Sequence, residues 1–268
     1  MKKLSFLAVA LTAMIFASCG GNKNANTNEG AQEEKSFEQE QVEASIKMHL
    51  DSLAAEVGRL KQLPFVQNDG EGALELTKEE KQVKPEYLAN PANAENATTL
   101  AEKYRMLSIL GVDKRIAALY EMPTDEYKAA INKLLADIND PSFKAIENAE
   151  NIFETTEGLY NAMEENGRIN FFWQLAAGSL VEELYIASQN TEKFLSVFDD
   201  DAASNVTFRI VLVTDAISRL AEYDEDIKPV AEAIEPLKVL NAISVDQLKS
   251  QLAEANEQIA AARAALVK

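Results

Sequence analysis

Along most of this chain the apolar positions recur every three or four residues, the period of one helical face rather than the alternation of a strand. Val42, Ile46, Leu50, Leu53, Val57 and Leu60 are spaced 4, 4, 3, 4 and 3, so they form one stripe of a long first helix ending near Leu63-Pro64. The stretch 64–96 loses this period and contains Gly70, Gly72, Pro85 and Pro91, which predicts a long loop with short helical turns. Within it, Thr77 and Glu80 have capping-box spacing. A second helix is predicted from about Thr99 to Glu121, opened by a Thr99–Glu102 box and stopped by Pro123. Thr124 is placed to cap a third, with Tyr127, Ile131, Leu134 and Ile138 inward. Ser142 is placed to cap a fourth, with Phe143, Ile146, Ala149, Phe153, Tyr160 and Met163 inward, ending at Asn166-Gly167.

The fifth helix runs from Ile169 to Gln189, with Phe172, Ala176, Leu180 and Leu184 on one face. A short sixth starts at Thr191 and breaks at Asp199-Asp200-Asp201. Val206, Ile210, Val213, Ile217 and Leu220 form the stripe of a seventh. The stretch 206–214 is the best strand candidate by propensity, but its spacing of three and four makes it helical. An eighth helix near Asp226–Leu240 carries Pro229 at its start and Pro236 inside, which predicts a kink. Ser244 and Gln247 cap the last, whose stripe is Val245, Leu248, Leu252, Ile259 and Leu266. No fixed repeat marks a solenoid. The expected fold is all-α: a multi-helix bundle of about eight or nine mostly antiparallel helices, arranged as stacked helical hairpins.

The first eighteen residues follow a different pattern. Lys2 and Lys3 precede an apolar run, Leu4–Phe16, interrupted only by Ser5 and Thr12. The run is shorter than the ~20 residues a membrane-spanning helix needs, and it matches a secretory signal. It ends Phe16-Ala17-Ser18-Cys19, which resembles the bacterial lipoprotein box of an apolar residue, two small residues and a cysteine. The resemblance implies cleavage before Cys19 and lipid on its sulfur, including palmitate. Residues 19–35 are small and polar, a tether with a root-mean-square reach of roughly 20–25 Å. The domain reading is therefore 1–18 signal peptide, 19–35 acylated tether and 36–268 helical domain. Among lipoproteins of this look, Gly20 rather than Asp after the cysteine implies the outer membrane. A tether whose first acid is Glu29 implies a periplasm-facing position rather than surface export.

Composition narrows the chemistry. The 268 residues include one Cys, one His and one Trp, with 26 basic and 44 acidic side chains and a net charge of −18. Cleavage after Ser18 would remove Lys2 and Lys3 and take that charge to −20. Such a chain is a poor match for nucleic acid, and charge gives it no help onto an anionic bilayer. One cysteine excludes disulfides within the chain and Cys-rich metal sites.

Three stretches are similar to a family of helical lipoproteins of Bacteroidota with no assigned activity. They run from Lys103-Tyr104 to Leu119-Tyr120, from Gly167-Arg168 through Ala177-Gly178-Ser179-Leu180-Val181-Glu182 to Leu184-Tyr185, and over the C-terminal helix 244–267. The resemblance implies an all-α lipoprotein and carries over no catalytic or ligand residues.

Candidate chemistry is sparse. His49 has Ile46 where a Glu-x-x-His di-iron motif needs Glu, and there is no second His. Asp199-Asp200-Asp201 lacks the alternating ligands and turn glycine of a calcium loop and reads as a solvated helix end. Glu164-Glu165 and Glu182-Glu183 read as solvated helix faces. Asn96-Ala97-Thr98, Asn205-Val206-Thr207 and Asp51-Ser52-Leu53 match glycosylation patterns by coincidence of composition. Phe171, Phe172 and Trp173 are the densest aromatic cluster, followed by the small run Ala176-Ala177-Gly178-Ser179. Three consecutive helical positions spread over roughly 200°, so this helix would be central, buried on two sides. The cluster is a core layer or the wall of a partner or ligand groove.

The expected function is non-enzymatic, with no metal and no cofactor. The protein would be a lipid-anchored envelope component that binds an envelope protein partner or scaffolds an assembly. The alternatives are a small-ligand binder with an apolar pocket near Trp173 and, more remotely, a carboxylate-based hydrolase.

Overall fold

The computed structural model describes positions 44, 48 and 50, and residues 53–60, 62–66, 73–146 and 156–267. The readings placed on residues 1–43, on His49, on Asp51-Ser52 and on Phe153 lie outside these. The described chain is an all-α helical bundle, with no strand among the described residues. Its helices are α1 (Lys78–Gln82), α2 (Leu100–Leu119), α3 (Asp125–Ile138), α4 (Thr156–Glu165), α5 (Ile169–Gln189), α6 (Thr191–Phe194), α7 (Asp200–Ala221), α8 (Lys228–Ile234), α9 (Val245–Glu254) and α10 (Asn256–Leu266). None of the described helices is long and apolar enough to cross a membrane.

The boundaries follow local chemistry. Both predicted capping boxes form: Thr77 with Glu80 opens α1, and Thr99 with Glu102 opens α2. In each, the hydroxyl accepts the N3 amide while the glutamate accepts the cap amide. Helix α2 ends at Leu119, and the chain turns away through Glu121, a non-glycine residue with φ +53°, directly before Met122-Pro123. Helix α4 closes on Gly167 at φ +66°, with the Arg168 amide donating to the Met163 carbonyl.

Some predicted boundaries move. The first segment leaves α-helical form by Val57–Arg59, a 3-10 turn, so it stops short of Leu63-Pro64. Its stripe nonetheless packs inward, with Leu50, Val57 and Leu60 buried. Thr124 makes no side-chain cap at α3. Ser142 caps nothing: Asp140 accepts its amide, and its hydroxyl donates to the Ala162 carbonyl. Pro236 converts the end of α8 into the 3-10 segment Glu235–Val239, because proline offers no amide to an α-helical bond. The C-terminal helix is two, divided at Ala255. Asp199-Asp200-Asp201 does not end a helix but starts α7. Asp199 accepts the Ala202 amide at 2.8 Å, and the other two acids lie in the first turn, where the helix dipole favours anions.

Helix α5 is the centre. Helices α2, α4, α7, α9 and α10 all pack against it, and from Phe172 to Ala187 only Ala176 and Tyr185 are not buried. The two-sided burial inferred from the aromatic triplet is therefore present. Helix α2 is its closest neighbour, and Gly178 sets the separation. A Cβ on Gly178 would lie 2.8 Å from the Arg105 carbonyl oxygen and would collide with the Ser108 hydroxyl. The carbonyl is backbone and cannot rotate away, so the small run on α5 serves helix approach. Overpacking of this kind costs about 1–3 kcal/mol, more than the ~1 kcal/mol of helix propensity alanine returns. Gly178→Ala is expected to lower the unfolding free energy by that net amount, up to about 2 kcal/mol, and with it the urea midpoint. An unchanged or raised midpoint would mean that the two helices are not packed this closely.

Candidate functional site: a buried charge layer around the central helix

Helix α5 has no solvent face in its middle, yet it carries two consecutive acids there. Glu182 and Glu183 are both 0% exposed. The expectation that they sit on a solvated face is corrected: neighbours from every side cover the helix. Glu164-Glu165, at the end of α4, are half-buried and exposed respectively.

Consecutive positions on a helix diverge by about 100°, so the two carboxylates meet different elements. Glu183 points toward α7, where Arg209 donates through Nη1 at 2.8 Å and Nη2 at 3.3 Å. The Leu63 amide donates to Glu183 Oε2 at 2.9 Å, and the Ser179 hydroxyl to Oε1 at 2.6 Å. Four bonds thus fill the carboxylate's acceptor positions. Glu182 points toward α10, where Arg263 donates through Nε at 2.7 Å and Nη2 at 2.8 Å. The Arg263 guanidinium also lies over the Tyr185 ring, 4.2 Å from its centroid.

A third buried acid completes the layer. Asp113 of α2 is 0% exposed, and its Oδ2 accepts the Ala89 amide at 2.9 Å. No donor faces Oδ1. Burial first, and then the neighbouring Glu182 carboxylate, push the Asp113 carboxyl well above the usual carboxylate range. The shift favours the protonated form, which would give Asp113 a donor beside Glu182. Tyr127 of α3 closes the layer, donating to the Ala89 carbonyl at 3.1 Å, with its hydroxyl pushed up to about 12 by burial. Tyr87 is raised as well, by burial and then by Tyr120.

Further buried polar pairs tie α2 to its surroundings. Arg105 donates to Gln174 Oε1 at 2.7 Å, Arg115 donates to Gln62, and Tyr104 donates to Asp140. The predicted aromatic residues divide between two environments. Phe172 and Trp173 are core, meeting edge to face at 5.3 Å, with Tyr160 against both. Phe171 is half-buried and stacks on Tyr104 at 4.8 Å.

Asp113 and Glu182 are neighbouring buried acids, and neither lines either of the cavities described next. One cavity, of about 30 Å³, lies between Leu60, Gln62, Phe172, Ser179 and Arg209. The other is an open surface depression of about 370 Å³ beside Glu75, Glu80, Asn190 and Lys193. There Lys193 pairs with Glu80 at 3.4 Å, and Glu192 with Lys249 at 2.7 Å. Among the described residues no group of acids, histidines or cysteines is arranged to hold a metal ion. The bonds of the buried layer join α2, α5, α7 and α10 to Leu63 and Ala89. No protein-family model matches the chain, and no curated protein or solved structure matches it.

The raised Asp113 carboxyl gives the fold a directional pH dependence. From about pH 4, where a free carboxyl ionises, the unfolded chain releases a proton that the folded chain keeps. The Asp113 contribution therefore weakens as pH rises from there toward the folded value. Asp113→Asn retains an acceptor for the Ala89 amide and offers Glu182 a permanent donor. Urea midpoints at pH 5 and pH 8 should differ less in this variant than in the wild type. Equal differences would show that Asp113 holds no proton.

Proposed function

We propose that this protein is a lipid-anchored, non-enzymatic component of the bacterial cell envelope that binds or scaffolds other envelope proteins. The observation that carries the reading is the position of the chain's one cysteine. Cys19 follows a basic start, a short apolar run and the small pair Ala17-Ser18, as a lipoprotein box requires. The polar stretch 19–35 then spaces the helical body from the bilayer. Attachment by two or three acyl chains is far firmer than by one, and it is needed here because an acidic body gains nothing from an anionic surface.

The interior supports a binding or structural role. Its buried acids are engaged by arginines and backbone amides rather than turned toward an opening. Recognition would then rest with the exposed acidic helix faces, which favour a partner carrying complementary basic groups. The outer membrane, with the body facing the periplasm, is the proposed location.

Cys19→Ala tests the anchor. The variant should incorporate no labelled palmitate and should leave the membrane fraction when expressed in a host with lipoprotein processing. Labelled palmitate persisting on the variant would refute the reading. Cross-linking in intact cells followed by denaturing purification should recover the same envelope proteins with the wild-type chain and lose them with Cys19→Ala. Recovery of the wild-type chain alone would count against the scaffold role.

A further inference from the structure

The segment around α1 is attached to the bundle differently from its neighbours. Leu74 and Leu76 are buried before it and Pro85 after it, but no side chain from Thr77 to Lys84 is buried. Val83 stands 73% exposed. Apolar burial therefore does not hold α1 in place.

Its ties are charged instead. Lys81 pairs with Glu121, just beyond the end of α2, at 2.7 Å. Glu80 pairs with Lys193 of α6 at 3.4 Å. Lys84 donates through Nζ to the Tyr120 carbonyl. One carboxylate serves both the helix and a tie: Glu80 Oε2 accepts the Thr77 amide of the capping box, and Oε1 meets Lys193. Partly solvated pairs of this kind hold weakly and are screened by salt. A helix of five residues is not stable without such ties.

We propose that residues 77–84 form a salt-sensitive strap, which melts and lifts between its anchors at Leu76 and Pro85 while the bundle stays folded. The anchors hold because they are buried. Beyond Pro85, Ala89 is bonded both ways, its amide donating to Asp113 and its carbonyl accepting from Tyr127. The strap borders the open depression of about 370 Å³, which Glu80 lines from α1 and Lys193 from α6. Release of their pair frees both groups and widens that depression. The strap is independent of whether Cys19 is acylated.

Amide hydrogen exchange of the full chain, read by mass spectrometry on fragments covering 77–84 and 169–189, tests this directly. The reporters are the Glu80, Lys81 and Val83 amides, whose acceptors all lie within the strap. Raising salt from about 0.02 M to about 0.5 M should speed exchange in 77–84 about 3- to 10-fold. It should not speed exchange in 169–189, because a chain of net charge −18 gains from screening of its own repulsion. Low urea should act the other way, speeding 169–189 and hardly changing 77–84, since a local opening exposes little surface. A joint response of the two fragments to urea, or exchange in 77–84 that salt leaves unchanged, would overturn the proposal. Lys81→Gln isolates one tie. It should speed exchange of 77–84 in low salt and reduce the response to added salt, with the urea midpoint of global unfolding unchanged. Wild-type exchange of 77–84 in this variant would overturn the proposal equally.

Discussion

A helix covered on every side cannot place an ionised side chain in water. Helix α5 is covered in this way, and it carries Glu182 and Glu183 at its middle. Each carboxylate therefore needs a cation and hydrogen-bond donors delivered through the core, and their divergence around the helix axis means that one neighbour cannot serve both. Arg209 comes from α7 and Arg263 from α10. The Leu63 amide brings in the N-terminal segment, and Asp113 brings α2 and the Ala89 backbone into the same layer. A buried ion pair adds little over a well-packed apolar pair, but losing one partner costs about 3–5 kcal/mol. The layer thus acts less as a source of stability than as a penalty on any packing that separates these elements.

The second constraint is steric. Gly178 lets α2 approach α5 until the Arg105 backbone is in contact, and at that separation Ser108 and Gln174 also find their places. These features explain how several ionisable groups can be interior in an acidic protein. Their bonds are internal, and burial favours the uncharged form of Asp113.

Much of this fold was legible from period and punctuation. The 3–4 spacing identified the helices, including 206–214 against its strand-like composition. The two capping boxes, Pro123 and Gly167 marked ends that the structure keeps. Where boundaries moved, tertiary contacts decided: the Ser142 hydroxyl is taken by the Ala162 carbonyl, and Asp199 accepts an amide ahead of it in the chain. The charge layer was not read. Glu182-Glu183 look like any solvated pair because local pattern does not report the number of neighbours. The signal was nevertheless present one step away. An aromatic triplet spreading over two sides of α5 implies burial around the whole helix, and adjacent glutamates on such a helix must then be interior. Arg209, next to Ile210 on an apolar stripe, is the other half of that inference. Which arginine meets which acid depends on how α7 and α10 dock, and no short-range pattern encodes it.

A double-mutant cycle on Glu183 and Arg209, read by urea unfolding of the full chain, tests the central claim most directly. Glu183→Gln removes the charge and keeps one acceptor oxygen for the Leu63 amide, while the Ser179 hydroxyl can turn to accept from the new NH2 group. Arg209→Met alone should cost about 3–5 kcal/mol by leaving a buried carboxylate uncompensated. Adding Glu183→Gln should restore a substantial part of that loss, which makes the pair strongly non-additive. A loss below about 1 kcal/mol for Arg209→Met, the range of exposed pairs, together with additive effects, would contradict a core organised around the acids of α5.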